Sequence, residues 1–410
     1  MKPCTTDYTT QVDCHIKPHG KSNSQMRRLN RFTHRYKKYI NKSCKVVLSL
    51  GVVLIVSLPF LMHEYHTHRD FNDGMTHAYF LDIGQGDSTL IKTRHHHLIL
   101  IDTGPDRSVV YEISKVLPLK INTIDFVILS HLHEDHIGGL IHLGNYYKID
   151  TLYFRYEPEF DNSVIFQILH KMKNKPNQIV LYSKNQKYFL KNLYTSDNSE
   201  NSKRTDVGAN KLGASKIYDL YEIDSTSELK NIQGLIVDYL QVDATTSIKN
   251  VYVDVCATTN DSVEAKGIMT FTSRSFCKLE SDNPNNRSLI SMLYDSQFHT
   301  ITINRTEYIQ KTEATDESIT IIFTGDLEKE MQSFISDFVD DSLIIKAPHQ
   351  GAKDALNTRF LSKVKPRYAV IFAGVNNRYG HPHKEVVEAY KNFNIKLFRT
   401  DELGTIAVTY

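Results

Sequence analysis

The sequence predicts an α/β domain preceded by a single membrane-spanning helix, and two observations predict it. From residue 78 onward, short apolar runs alternate with helically periodic stretches, the pattern of a sheet covered by helices. Upstream, residues 46–62 form an uncharged run of about 17 residues, the lower limit for crossing a bilayer. Bulk composition, 40% hydrophobic and 23% charged over 410 residues, is that of a globular chain and excludes both wholesale disorder and a many-span transporter.

The first segment, residues 1–45, carries seven Lys and four Arg against Asp7 and Asp13, roughly +9, so the rest holds about −7 within a total of +2. Residues 1–42 are polar and lack periodicity, which predicts a disordered tail. Its basic charge is read as topogenic rather than as a nucleic-acid-binding arm. The 46–62 run has no polar stripe, so it is not a core helix, and His63-Glu64-Tyr65-His66 offers no small-residue cleavage site, so it is not a cleaved signal peptide. A Lys/Arg excess stays cytoplasmic. The expected architecture is a basic cytoplasmic tail (1–45), a signal anchor (46–62), a linker (63–76) and an extracellular domain (77–410). Cys256 and Cys277 then face an oxidising space, where they either pair or remain unrelated free thiols.

Within the domain, residues 78–83 read as a strand followed by the turn Gly84-Gln85-Gly86-Asp87. Residues 88–92 and 98–102 read as two more strands, 108–117 as a helix, and 124–129 as a short buried strand. The triple His95-His96-His97 lies between two predicted strands and reads as a solvated turn. Further strands are expected at 149–154, 178–182, 288–294, 318–324, 343–346, 368–372 and 396–400, with a helix over 164–172. Residues 195–216, rich in Ser, Asn, Lys and Gly, predict a surface loop, and 256–287 a second irregular stretch.

The chemistry sits where the 124–129 strand ends, in Ser130-His131-Leu132-His133-Glu134-Asp135-His136-Ile137-Gly138-Gly139. In extended chain His131 and His133 point the same way, while Asp135 and His136 fall on the following turn and can face a second ion. His and carboxylate donors suit zinc or manganese. Four such groups in six residues fit neither a core nor a solvated surface. Asp326 and His349 also follow apolar strands, at the strand ends where sheet proteins place their sites. Taken alone, each is also readable as a capping or surface residue.

The chain resembles the metallo-β-lactamase superfamily, and more narrowly the hydrolase domain of the ComEC family of DNA-uptake proteins. The resemblance runs over about residues 77–410. It is carried by Phe80-Leu81-Asp82-Ile83-Gly84-Gln85-Gly86-Asp87, Ile101-Asp102-Thr103-Gly104, the His-rich loop, Phe323-Thr324-Gly325-Asp326, Lys346-Ala347-Pro348-His349-Gln350-Gly351 and Asn377-Arg378-Tyr379-Gly380-His381-Pro382-His383. It implies an αββα sandwich with two divalent ions at one edge. It also implies that Asp326 bridges them, that His349 joins Asp135 and His136 at the second, and that Asp102 orients a ligand imidazole. Asn285-Asn286-Arg287-Ser288-Leu289 resembles the family's Asn-x-x-Ser-Leu segment, where better-known β-lactamase-type enzymes place a third first-site histidine. The first ion is therefore expected to have a poorer protein shell, completed by water, substrate or His381, so that filling of both sites is an open question. His381 and His383 match a loop that faces the active site.

The implied activity is metal-dependent hydrolysis of a phosphodiester by an activated water. Asp135, Asp326 and His381 are the candidate catalytic residues, and Arg378 and His383 the candidate substrate contacts. DNA is the substrate the resemblance suggests, with the DNA-uptake machinery as partner. Two features weigh against it: one span cannot conduct DNA, and the acidic outer part does not favour tight sequence-independent DNA binding. A teichoic-acid-type cell-wall phosphodiesterase and a non-catalytic metal-bound partner of a membrane complex are the alternatives. The Asn-x-x-Ser departure disfavours a lactonase or β-lactamase.

Overall fold

Short β-branched and aromatic runs buried on both faces form strands, and the computed structural model resolves them into two packed sheets. It describes residues 23–155, 163–183, 186–192, 218–224, 230–232, 235–242, 246–253, 284–295, 300–304, 306–310, 319–336, 339 and 341–410. The expected loop at 195–216 and the pair Cys256 and Cys277 lie outside the described residues. The chain divides into two units, Met1–His63 and Glu64–Tyr410.

Helix α1 (Asn23–Phe71) contains the 27-residue stretch Lys45–Phe71, whose most apolar 18-residue window has a mean hydropathy of 2.4 and is unburied. It is long and apolar enough to cross a membrane. Ser49 and Ser57 turn their hydroxyls back onto the Val46 and Leu54 carbonyls, so neither serine needs a partner outside the helix. The helix begins at Asn23, inside the stretch expected to be a disordered tail, and continues through half of the expected linker. The reason is local: no Gly or Pro interrupts 23–50, and its Arg, Lys, Met and Leu residues are good helix formers.

In the second unit the chain lays down β1 (His77–Phe80), β2 (Thr89–Lys92), β3 (Leu98–Ile101), β4 (Thr123–Ile128), β5 (Lys148–Arg155), β6 (Gln178–Ser183), β7 (Gln186–Asn192) and β8 (Tyr218–Asp224) side by side in one sheet. It then crosses to a second sheet with β9 (Lys230–Ile232), β10 (Leu235–Gln241), β11 (Thr246–Val253) and β12 (Ile290–Asp295). The hairpin β13 (Thr300–Ile303) and β14 (Thr306–Gln310) returns to the first sheet. β15 (Ile319–Phe323), β16 (Ile344–Lys346), β17 (Tyr368–Ile371) and β18 (Lys396–Arg399) complete the second, and β19 (Ile406–Thr409) closes the first between β13 and β1.

Alternation along each strand fixes the layers. In β3, Leu98 and Leu100 face a core shared with α2 (Ser108–Val116), α4 (Leu140–Tyr146) and α5 (Ser163–Lys171), while Ile99 and Ile101 face the opposite sheet. In β15, Ile321 and Phe323 face inward and Ile322 faces α6 (Lys329–Ile335), α7 (Thr358–Val364) and α8 (Lys384–Asn392). The order helix, sheet, sheet, helix is the expected αββα sandwich. Between α2 and α4 the short α3 (Glu134–Ile137) follows β4 directly.

β3 through β6 run parallel in the first sheet, and β15 through β18 in the second. The loops leaving β3, β4, β15, β16 and β17 are the ones that carry the conspicuous polar motifs, so those motifs all emerge at strand carboxyl ends.

Candidate metal centre

The β4 exit is extended at His133 (φ −84°, ψ 152°) before α3 begins at Glu134. That geometry puts His131 and His133 on one side, with His131 Nε2 3.1 Å from His133 Nδ1. The helical turn then swings Asp135 and His136 towards the neighbouring sheet. His136 Nε2 lies 3.8 Å from Asp135 Oδ2 and 3.3 Å from Asp326 Oδ2, and His349 Nε2 lies 3.7 Å from that same oxygen of Asp326. The six residues singled out as ligands are thus drawn together from the ends of three strands, β4, β15 and β16.

The loop can approach so closely because of two glycines. A Cβ on Gly86, which has φ +111°, would stand 2.1 Å from the Asp135 carbonyl oxygen, and one on Gly139 would stand 2.0 Å from the Thr103 carbonyl oxygen. Only a residue without a side chain admits either contact.

Asp102, at φ +57° just past β3, is buried beneath the cluster. Its carboxylate accepts from the Ser130 N–H and hydroxyl, both at 2.7 Å, and meets His136 Nδ1 at 2.9 Å. This leaves Nε2 of His136 aimed at the cluster, the tautomer a ligand needs. Ser288 does not join the cluster directly. Its hydroxyl donates to the Asn285 carbonyl and accepts from the Asp326 N–H, so it braces the Asp326 turn. Asn285, on a 3₁₀ turn (Pro284–Arg287), donates its amide to Glu328 at 3.4 Å.

Burial lowers the His131 pKa well below the usual imidazole range, reinforced by its neighbour His136, and burial with His136 does the same for His133. Both rings are neutral, with lone pairs to offer. His136 behaves oppositely: burial disfavours its charged form, but the charges of Asp326, Asp102 and Asp87 outweigh that and raise it. For Asp326, burial is likewise outweighed, by His136 and Lys346, and its carboxylate is held well below the usual range.

The donor set fits a divalent cation. His131, His136 and Asp326 each offer an atom within 4.8 Å of the others, and both His136 Nε2 and Asp326 Oδ1 are buried without a hydrogen-bond partner. Buried polar atoms without partners are costly, and a bound cation would satisfy both.

Several contributors escaped the sequence reading. Lys346 is fully buried, pairs with Asp87, stands 3.6 Å from Asp326 Oδ1 and donates to the Gly325 carbonyl. Gln350 donates to Asp135 Oδ2 at 3.0 Å, and Gln85 donates to Gln350 at 2.9 Å. Ser130 joins Asp102 to the His131 ring. A Lys closing an otherwise apolar strand was the available signal for Lys346. Nothing in the sequence distinguished the glutamines.

The loop after β17 delivers the remaining candidates. The His381 ring is 5.7 Å from His349 and 4.9 Å from His383, and His383 Nδ1 accepts from the Lys353 N–H. Arg378 is exposed and bonds the Tyr379 hydroxyl.

An αββα sandwich with a His/Asp cluster at its strand ends defines the metallo-β-lactamase fold, and residues 81–161 match the metallo-β-lactamase superfamily. Within that class the chain is similar to competence proteins. It is 37% identical to "ComE operon protein 3" of Bacillus subtilis (strain 168) over 91 residues, 22% of this chain and 12% of that protein. It is 33% identical to "Competence protein ComA" of Neisseria gonorrhoeae over 89 residues, 21% of this chain and 13% of that protein. The matches therefore span about an eighth of either relative. Among solved structures, a long form RNase Z from yeast is 12% identical with a TM-score of 0.37, covering 82% of this chain and 42% of the other.

Proposed function

We propose that the chain is a membrane-anchored phosphodiesterase that cleaves DNA outside the cytoplasm, using two divalent ions, zinc or manganese. The supporting observation is the convergence of His131, His133, Asp135, His136, Asp326 and His349 on one strand-end cluster with unsatisfied buried donor atoms. His131 and His133 would hold one ion and Asp135, His136 and His349 the other, with Asp326 available to both. Because the Asn285 amide is turned to Glu328, the first ion has fewer protein ligands and is the weaker site. The likeness to competence proteins supports DNA as substrate and the uptake machinery as partner.

Paired cations, when bound, lower the pKa of a water and offset charge on a phosphoryl group. The chain's residues do the positioning. Asp326, central among the donors, accepts a hydrogen bond from the attacking water and aims the water's lone pair at phosphorus; the P–O ester bond breaks, and the proton that the water gives up passes to the leaving alkoxide, giving a phosphomonoester and an alcohol. His381 is neutral at pH 7, since burial and the neighbouring His349 and His383 lower it to about 4, so it donates one N–H to a phosphoryl oxygen. Arg378 and His383 flank the same approach and contact the substrate backbone.

The test is cleavage of single-stranded DNA by the full chain in detergent with manganese or zinc, beside a His133→Ala, Asp135→Ala double variant. Cleavage that the double variant loses supports the proposal. Hydrolysis of bis-p-nitrophenyl phosphate without any cleavage of DNA would redirect it to a cell-wall phosphodiester.

A further inference from the structure

We propose that Tyr379 is a base-stacking platform that makes this site selective for single-stranded, base-bearing nucleic acid; the inference rests on the phosphodiesterase reading above. Tyr379 is 52% exposed and Val375, on the same loop, 72%. Large apolar side chains this open gain little from folding, so the fold itself does not account for them. Yet the loop holding them is tightly braced. The Asn377 side chain accepts from the His381 N–H at 2.9 Å and donates to the His381 carbonyl at 2.6 Å and the Gly374 carbonyl at 3.2 Å. The loop is also tied to the metal cluster by a relay: Gly374 N–H donates to Gln85, Gln85 to Gln350, and Gln350 to Asp135. An exposed ring on a rigid loop, registered to a candidate ligand, is a preorganised contact.

The rings themselves form a path. His349, at the cluster, lies 5.7 Å from His381, and His381 is stacked with Tyr379 at 5.8 Å with 28° between planes. Beyond it, the Arg378 guanidinium lies 4.9 Å from the Tyr379 centroid and bonds its hydroxyl. Two ring steps from the cluster, a planar cation lies over an exposed aromatic ring. This pairing suits a nucleotide adjoining the scissile phosphate: its base takes the guanidinium's place on the ring face, and its phosphate pairs with the displaced Arg378. Bases in a duplex are already stacked on one another, and a polyol-phosphate wall polymer has no π-face. The geometry therefore favours single strands over both.

The experiment compares kcat/KM of the full chain in detergent with manganese on a dT12 oligonucleotide and on a twelve-unit abasic phosphodiester of the same charge. The native chain is expected to prefer dT12 by about tenfold, the scale of one stacked base. Tyr379→Ala should bring that ratio close to one, and Tyr379→Phe should restore it. Because both substrates meet the same preparation, the ratio is insensitive to the fraction of active protein. A ratio near one in the native chain, or a preference unchanged in Tyr379→Ala, overturns the platform while leaving the phosphodiesterase reading intact. Failure to cleave either oligomer overturns both, and faster cleavage of poly(glycerol phosphate) overturns the platform and moves the reading to a cell-wall phosphodiester.

Discussion

At the scale of single residues, the centre depends on side chains that never touch the reacting atoms. Asp102 anchors Ser130 and His136 together, so Asp102→Ala frees the His136 ring to rotate. Metal affinity should fall about 10- to 100-fold, read by titrating zinc against a fluorescent chelator; an unchanged affinity would remove Asp102 from this role. Lys346 balances the buried Asp87 and Asp326, so Lys346→Met strands two carboxylates. A loss of about 3–5 kcal/mol and a lower melting temperature for the metal-stripped chain are expected. The contiguous His-Leu-His-Glu-Asp-His run made most of the ligands legible in the sequence, because one loop supplies four of them. Lys346, Gln350 and Ser130 were not legible, because their significance comes from partners delivered by other strands.

At the scale of elements, the close approach of loops decides whether the ligands meet. Gly84 and Gly86 both have positive φ, at +79° and +111°, but only at Gly86 would a Cβ strike the Asp135 backbone; at Gly84 nothing lies within 4 Å. The pair separates backbone strain from displacement of a ligand. Both Gly84→Ala and Gly86→Ala should lose about 1–3 kcal/mol of stability, yet only Gly86→Ala should also weaken metal binding. Equal metal affinity in the two variants would show that the Gly86 contact does not set the position of Asp135. Strands such as β3, β4 and β15 stood out in the sequence as short, largely apolar runs. The wing of β7 to β11 and the β13–β14 hairpin did not, since β8 and β14 mix polar and apolar residues and some of the pairings that hold these strands are long-range. β13, for example, pairs with β19 through Thr302 and Thr409. Helices α6 to α8 were missed for a different reason: α6 and α7, at seven residues, offer barely two turns of periodicity, and α8 buries only Val386 and Tyr390.

At the scale of the whole molecule, charge distribution and the apolar helix together govern where hydrolysis can occur. The basic excess before the helix, roughly +9, and the acidic balance after it, about −7, should orient the chain with its N-terminus inside. Proteinase K added to intact cells should therefore digest the unit after His63 and spare the N-terminal segment. Replacing Arg27, Arg28, Arg31, Arg35, Lys37 and Lys38 by Glu should increase the share of chains protected from the protease. Full protection of the native chain until lysis would place the domain inside, and the enzyme would then need a substrate made within the cell. The acidic exterior also predicts how the substrate is captured. With little long-range attraction to a polyanion, binding should depend on short-range contacts, and kcat/KM on single-stranded DNA should change less between 50 and 200 mM salt than the 10³- to 10⁵-fold typical of proteins that neutralise many phosphates. A salt dependence as steep as that would identify a basic surface as the main source of affinity in place of the ring path beside the metal centre.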